Sequence, residues 1–157
     1  MSKFQLKIFF KAAYDLMLVF LQFFIISLHF FQWEFPPQKQ IIQASPFSYC
    51  LGILIIIIAF IIMLVSIKDL GKNLSPFPRP INNSNLVTSG IYRFTRHPMY
   101  YSLIFISIGF FIIKLSIYYL FLTISLALII KFKIALEEKY LINKFKNYLL
   151  YKNEVKV

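Results

Sequence analysis

Long hydrophobic runs dominate the pattern of hydrophobic and polar positions along the chain. The first run extends from about Leu16 to Phe31 and the second from Phe47 to Ile67, and neither contains a charged residue. A third run, from Met99 to Ile130, contains a single charge at Lys114. Uncharged runs of this length are typical of helices that cross the roughly 30 Å hydrocarbon core of a membrane. The pattern therefore predicts an all-α integral membrane protein.

The third run is too long to be one membrane-spanning helix. At about 1.5 Å per residue it would be roughly 48 Å long, with Lys114 near the membrane centre at a cost of at least ~2.5 kcal/mol. A hairpin at Lys114-Leu115-Ser116 removes both problems. We expect a single domain, residues 1–157, with four transmembrane helices at about 14–31, 47–67, 97–113 and 115–131.

Charge placement predicts the orientation of these spans. Every basic residue except Lys39 and Lys114 lies before the first span, between the second and third, or after the fourth. Cytoplasmic segments are enriched in Lys and Arg. We therefore expect both termini, the loop 68–96 and the tail 132–157 to lie in the cytoplasm, and the protein to lie in the bacterial inner (plasma) membrane.

Composition supports a membrane protein and argues against a nucleic-acid-binding protein. Hydrophobic residues make up 59% of the chain and the mean hydropathy is +0.72, more than one soluble core can bury, so lipid must cover much of it. The net charge of +11 could suggest nucleic acid as a partner. The charges, however, flank apolar runs and form no basic face on a soluble domain. We expect them to face membrane lipids, and we expect no nucleic-acid partner.

The tail after residue 131 has helical periodicity. Its apolar residues recur at helical spacing between lysines, at Leu136, Tyr140, Leu141, Phe145, Tyr148 and Leu149. This pattern predicts that the fourth helix continues past the membrane and ends in an amphipathic cytoplasmic segment along the membrane surface.

One polar cluster precedes the third span, between Ser89 and Tyr100. Pro98 suits the first position of a helix, where the missing N–H costs no hydrogen bond, and His97 is then the N-cap. Free backbone N–H groups and the helix dipole, beside Arg93 and Arg96, can hold a carboxylate. The alternative is an ordinary helix start with arginines at the headgroups.

Glu137 and Glu138 form a second cluster in a tail otherwise dominated by lysine. They can bind a cation or an amine, or they can simply pair with Lys133, Lys139 or lysines one helical turn away. The hairpin brings the cytoplasmic ends of the last two spans together. We therefore expect both clusters to line one pocket.

Several familiar kinds of site are missing from the sequence. Its four glycines are scattered, so there is neither a dinucleotide fingerprint nor a phosphate loop. One cysteine and two histidines are too few for a typical zinc site, and we expect no metal. His29, inside the first run, is interpreted as a packing or interfacial residue.

Four motifs occur in order between residues 67 and 151. They are LGKNLSPFPRP (Leu70–Pro80), LVTSGIYR (Leu86–Arg93), RHPMY (Arg96–Tyr100), and Glu137-Glu138 followed by Leu141, Phe145, Tyr148 and Tyr151. Together they resemble the isoprenylcysteine carboxyl methyltransferase family, its bacterial homologues and the related phospholipid methyltransferases. RHPMY alone would be a weak signal, but its combination with the N-x-x-P-x-P loop and the downstream glutamates is strong. One departure is Lys146, where the family usually has glycine.

The resemblance implies a methyltransferase that binds S-adenosyl-L-methionine with membrane-edge segments instead of a Rossmann sheet. The residues that match the family's cofactor-binding segments are Leu86, Val87, Arg96, His97, Pro98, Tyr100, Glu137 and Glu138. A glutamate would bind the cofactor's ammonium or ribose hydroxyls, and His97 with Arg96 would take the methionyl carboxylate. Arg93 and Arg96 are the candidate catalytic residues, with Arg93 suited to an acceptor carboxylate or phosphate.

The resemblance also implies a lipophilic acceptor, either a small molecule or a lipid-modified molecule. A carboxylate of isoprenylcysteine type is the acceptor that the family name implies. A phospholipid amine, a quinone-like compound and an isoprenoid acid are equally compatible with the sequence. Two other functions stay open: a non-catalytic membrane protein that retains the fold, and a related membrane reductase using a nicotinamide cofactor, against which the paired glutamates argue.

Overall fold

The computed structural model of the protein describes residues 3–31 and 44–155, and every regular element in them is helical. The α-helices are α1 (Lys3–Leu28), α2 (Pro46–Leu70), α3 (Pro98–Lys114), α4 (Ile117–Lys144) and α5 (Tyr148–Glu154). Two 3-10 turns, Gly71–Asn73 and Gly90–Arg93, lie in the loop between α2 and α3. Lys39, expected on the outer side of the membrane, and the last two residues of the predicted tail lie outside the described residues.

The turn between α3 and α4 lies where the sequence predicted it. α3 ends at Lys114, and Leu115 follows it with a left-handed backbone, φ 45°. Ser116 then caps α4, because its side chain accepts a hydrogen bond from the backbone N–H of Tyr118 at 3.2 Å. A left-handed residue after a helix reverses the chain, and α3 and α4 pack against each other. The predicted hairpin is confirmed.

In the described part of the chain, three helical segments are long and apolar enough to cross a membrane. They are Phe9–Leu28, Pro46–Asn73 and Ile117–Lys144. α3 is apolar too, but its 17 residues extend only about 25 Å, less than the ~30 Å hydrocarbon core. The helical, membrane-spanning class agrees with the sequence, whereas the fourth crossing stays a prediction.

Small residues allow α2 and α3 to pack closely. Gly52 on α2 faces Gly109 on α3, and a Cβ atom added to Gly52 would lie 2.8 Å from the Gly109 carbonyl oxygen. The buried residues of α2 are Gly52, Ala59 and Ser66, one every seventh position. Between membrane helices, association depends on such close backbone approach. The packing brings the end of α2 beside the start of α3. The loop between these helices therefore begins and ends on the same side of the helix bundle.

α4 is the helix against which α1 and α3 pack. Its inner face buries Leu122, Leu126 and Ile130 against Ile25 of α1 and Tyr100 of α3. At the far end of α1, His29 bonds to the Ser107 hydroxyl at 2.7 Å. That contact confirms the packing interpretation of His29.

The tail continues α4, as the periodicity predicted, but only as far as Lys144. Phe145 is the C-cap of α4, and a turn closed by the Tyr148 N–H on the Phe145 carbonyl, at 3.0 Å, leads into α5. The turn therefore forms with lysine at position 146. α5 buries Tyr148 and Tyr151, and its C-cap Val155 is buried with them, so this segment folds back onto the rest of the protein.

Candidate active site

A cavity lies where the loop between α2 and α3, and then α5, cover the ends of α3 and α4. It encloses about 760 Å³ when the open solvent at its mouth is counted. Its aromatic lining consists of Phe77, Tyr92, Tyr100, Phe145, Tyr148 and Tyr151. Its polar lining includes Asn73, Asn85, Arg96, His97 and Glu137. Arg96, His97 and Tyr100 of the first polar cluster and Glu137 of the second lie together at this cavity.

Glu137 is the acidic side chain that lines this cavity. The Tyr100 hydroxyl donates a hydrogen bond to its Oε2 at 2.7 Å. No other hydrogen bond reaches this carboxylate from the described part of the chain. A carboxylate has room for about four hydrogen bonds. Glu137 is therefore held in orientation by Tyr100 while most of its acceptor capacity stays available to a ligand.

Glu138, the next residue, does not line the cavity. Its Oε1 pairs with Arg96 Nη2 at 2.8 Å, and its Oε2 pairs with Lys152 Nζ at 2.7 Å. His97 Nε2 lies 3.5 Å from Oε1. Arg96 also donates to the backbone carbonyls of Lys152 and Val155. One interpretation of the sequence paired Glu138 with Lys133 or Lys139. In the structure its partners are Arg96 and Lys152 instead.

α5 forms the outer wall of the cavity. The Tyr151 hydroxyl donates to the Tyr92 carbonyl at 2.6 Å, and burial raises the pKa of Tyr151 to about 12. Burial also raises the pKa of Tyr92 and of Tyr148, so all three phenols are protonated donors at neutral pH. The Tyr148 hydroxyl is buried at the cavity wall, and no partner in the described residues bonds to it. A buried donor without a partner is costly, and a ligand in the cavity would satisfy it.

The turn before α3 is held by Asp69 at the end of α2. Its carboxylate accepts a hydrogen bond from the Ile91 backbone N–H at 2.8 Å. Gly90 has φ 61°, and any Cβ atom there would overlap that carboxylate. The sequence showed Gly90 within a motif but gave no sign of Asp69 as its partner. This contact positions Tyr92 and Arg96 in the cavity wall.

Gly90→Ala is expected to destabilise this turn more than Gly71→Ala does. Both glycines have positive φ, but a Cβ atom at Gly71 would meet nothing within 4 Å. Gly71→Ala should therefore cost only backbone strain, about 1–3 kcal/mol. Gly90→Ala should cost a further ~1.5–3 kcal/mol, because it displaces Asp69 from its hydrogen bond. Thermal unfolding of the two variants in detergent measures the difference, and equal losses would contradict the Asp69 contact.

The predicted site residues do not all lie at the cavity. Leu86, Val87, Arg96, His97, Tyr100 and Glu137 line it. Pro98 is buried at the first position of α3, directly after the N-cap His97, as predicted. Glu138 lies behind the wall, where it holds Arg96. Arg93 is exposed, stacks over the Phe94 ring at 5.0 Å and lines a separate groove.

Other side chains around the cavity were not recognised from the sequence. They are Asn73, Asn85, Tyr92 and Arg79 in the lining, and Asp15, Gln22, Asp69 and Lys133 behind it. A signal did exist for Asp15 and Gln22, because polar side chains next to or inside an apolar run are rare without a function. In the part of the chain that the structure describes, no cluster of His, Cys, Asp and Glu is suited to a metal ion.

A family model for phospholipid methyltransferases matches residues 47–148, from α2 to the first residue of α5. The chain belongs to the phospholipid methyltransferase family. This family includes the membrane methyltransferases of isoprenylcysteine carboxyl methyltransferase type, which the motifs resemble. No protein of curated function and no solved structure matches the chain significantly. The matched segment contains both glutamates and nearly the whole cavity wall, so this member of the phospholipid methyltransferase family is a membrane methyltransferase.

Proposed function

We propose that the protein transfers a methyl group from S-adenosyl-L-methionine to a lipophilic acceptor at the cytoplasmic face of a bacterial inner membrane. The observation that carries the proposal is the Glu137 carboxylate. It faces the cavity and receives one hydrogen bond from the described residues of the protein, from Tyr100. The cavity lies at the helix ends near most of the basic residues, and these residues favour the cytoplasmic side.

The residues at the cavity fit this cofactor. Its ammonium and ribose hydroxyls are donors, and Glu137 is an acceptor with free capacity. The buried Tyr148 hydroxyl, which lacks a partner in the described residues, can donate to the cofactor. Aromatic rings such as Tyr92 and Phe145 in the lining suit both an adenine ring and a sulfonium cation. We assign the cofactor-binding role to Glu137, His97, Tyr100 and the Leu86–Val87 stretch.

The chain's own task in the reaction is orientation. S-adenosyl-L-methionine supplies an activated methyl group, so little acid–base chemistry is needed from the protein. Tyr100 holds the Glu137 carboxylate at 2.7 Å, and Arg96 holds α5 over the cavity through the carbonyls of Lys152 and Val155. Holding two reactants in line can lower an activation barrier by ~7–11 kcal/mol. A covered cavity also excludes water, which would compete as acceptor.

Arg93 fits an acceptor better than it fits the cofactor. The groove that it lines also contains Lys144 and Lys146 and shares Leu86, Phe145 and Tyr151 with the cavity. Glu154 is the acidic residue of the groove, and Arg93 has no ion pair in the described residues. We therefore assign Arg93 to an acidic group of the acceptor, a carboxylate or a phosphate, outside the cofactor cavity.

Methyl transfer itself is the direct test. Purified protein is incubated with methyl-labelled S-adenosylmethionine and total bacterial membranes, and the labelled product is identified as lipid, prenylated protein or other compound. Transfer to a lipophilic product supports the proposal, and the product names the acceptor. Absence of transfer together with absence of cofactor binding in detergent would overturn it.

The length of the acceptor's apolar tail is expected to control KM and not kcat. The candidate site lies at headgroup level, so an acceptor can approach sideways from the bilayer with its tail still in lipid. Each CH₂ removed from the tail should raise KM about fourfold, corresponding to ~0.8 kcal/mol. Because the tail contributes equally to the ground and transition states, kcat should change little. Equal kcat/KM for a long-chain acceptor and its short-chain analogue would indicate a water-soluble acceptor instead.

A further inference from the structure

α1 lies outside the segment that matches the family, yet it carries a buried polar stripe. Asp15, Gln22 and His29 occupy every seventh position and are 3%, 6% and 6% exposed. Residues seven apart lie on one face of an α-helix. Polar side chains on an apolar membrane helix are expensive unless they are bonded to another part of the protein. The partners of the three residues therefore show which parts of the protein α1 holds in place.

Gln22 reaches the cavity wall through Lys133 of α4. The Lys133 ammonium donates to Gln22 Oε1 and to the Pro76 carbonyl, the latter at 3.0 Å. It also lies 5.2 Å from the centre of the Tyr100 ring, whose hydroxyl orients Glu137. Lys133 is 1% exposed, so its charge is committed to these contacts.

Asp15 reaches the same wall through Arg79. Arg79 Nη2 pairs with Asp15 Oδ2 at 3.0 Å, and the Tyr140 hydroxyl donates to Asp15 Oδ1 at 3.3 Å. The guanidinium also lies over the Tyr140 ring, 5.4 Å from its centre. One carboxylate on α1 thus joins α4 to the loop.

Both contacts act on residues 75–80, here called the proline strap. All of it except Pro76 lines the cavity, and Pro76 is the residue that Lys133 holds. The strap lies outside the helices, and its three prolines have no N–H to donate. Its place over the cavity therefore depends on side-chain contacts such as those of Lys133 and Arg79.

His29 shows that these contacts are more than general docking of α1. It bonds to Ser107 of α3 and to the Ile25 carbonyl, at the end of the bundle away from the strap. The stripe thus contains two residues that reach the strap and one that only joins helices. That difference makes His29, in the turn directly after α1, a matched control for Asp15 and Gln22.

We propose that Asp15 and Gln22 are positioning residues of the methyl-transfer site, and that α1 holds the proline strap over the cavity through Arg79 and Lys133. The inference rests on the proposed function for its effect on the reaction. The position of the strap itself is independent of that function. Neither residue touches the cavity; each acts through a basic residue that holds its wall.

The first measurement is cofactor-independent. Pro78 is under 2% exposed, so Pro78→Cys in a Cys50→Ser background places a single shielded thiol on the strap, and maleimide labelling in detergent reports its accessibility. We expect Gln22→Leu and Asp15→Asn to raise the labelling rate at least severalfold, and His29→Leu to leave it unchanged. Gln22→Glu, which keeps an acceptor for Lys133, should restore the parent rate. Unchanged rates in both Gln22→Leu and Asp15→Asn would overturn the proposal.

The second measurement compares kinetics in the native-cysteine protein. Gln22→Leu and Asp15→Asn are expected to raise KM for S-adenosylmethionine about tenfold, the loss of one charge-assisted hydrogen bond. His29→Leu should lower the thermal unfolding temperature without raising KM. If His29→Leu raised KM equally, general loss of α1 packing would explain the increase in all three variants, and the proposal would be overturned. If the parent itself neither binds nor turns over the cofactor, the proposed function fails, while the labelling result still decides whether α1 holds the strap.

Discussion

Glu138→Ala is expected to lower the free energy of unfolding by about 3–5 kcal/mol, the cost of breaking a buried ion pair by removing one partner. The change leaves the Arg96 guanidinium, 8% exposed, without its carboxylate, and it also removes the partner of Lys152. Arg96 holds the carbonyls at the end of α5, so α5 should detach first. Thermal unfolding in detergent, combined with limited proteolysis of the C-terminal segment, measures both effects.

Lys139→Ala is the matched control for this variant. Lys139 is the next residue on α4, it is exposed, and its removal should change stability by less than ~0.5 kcal/mol. Cofactor affinity should fall in Glu138→Ala, because the wall formed by Tyr148 and Tyr151 depends on α5. A Glu138→Ala protein as stable and as resistant to protease as Lys139→Ala would show that α5 is held by other contacts.

Glu137→Gln is expected to weaken S-adenosylmethionine binding by about 10- to 150-fold with little change in stability. The substitution keeps the shape of the side chain and an oxygen that can accept the Tyr100 hydrogen bond. It removes the charge, and a hydrogen bond to a charged group contributes ~1.5–3 kcal/mol. Calorimetric titration of the detergent-solubilised protein measures the affinity, and thermal unfolding checks the fold.

Tyr100→Phe separates orientation of the carboxylate from its charge. Without the phenol, Glu137 keeps its charge but loses the bond that fixes its direction, so affinity should fall by less than in Glu137→Gln. Parent-like binding by Glu137→Gln would place the cofactor's cationic end elsewhere. If Glu137→Gln lost as much stability as Glu138→Ala, Glu137 would instead be a structural residue.

The contrast between the two glutamates follows from helix geometry. Adjacent residues on an α-helix point about 100° apart. When Glu137 faces the cavity, Glu138 must face Arg96 and α5. The same EE motif therefore combines a ligand-facing carboxylate with one that holds the wall. The sequence motif identifies the pair, but it does not show which glutamate faces the ligand and which holds Arg96.

Much of the fold could be predicted because it depends on local patterns. Hydropathy located the apolar helices, since lipid and core both require uninterrupted apolar surface. The cost of a mid-membrane Lys114 was sufficient to predict the hairpin that the structure contains. Pro98 marked the start of α3, and that start together with the hairpin predicted that RHPMY and the two glutamates would meet. The third helix remained ambiguous because its length is close to the minimum for a span.

The partners of the charged residues could not be predicted, because they are distant in sequence. Local pattern predicted that Lys133 faces lipid headgroups or pairs with a nearby glutamate, yet it is buried between Gln22 and Pro76. Lys144 was likewise counted as a topology signal, but it bonds to the carbonyls of Ile81 and Asn82. Hydropathy and charge bias are properties of neighbouring residues and so can be read along the chain. Which cation meets which carbonyl depends on how α1, the proline strap and α5 pack in three dimensions, and only the folded protein decides that.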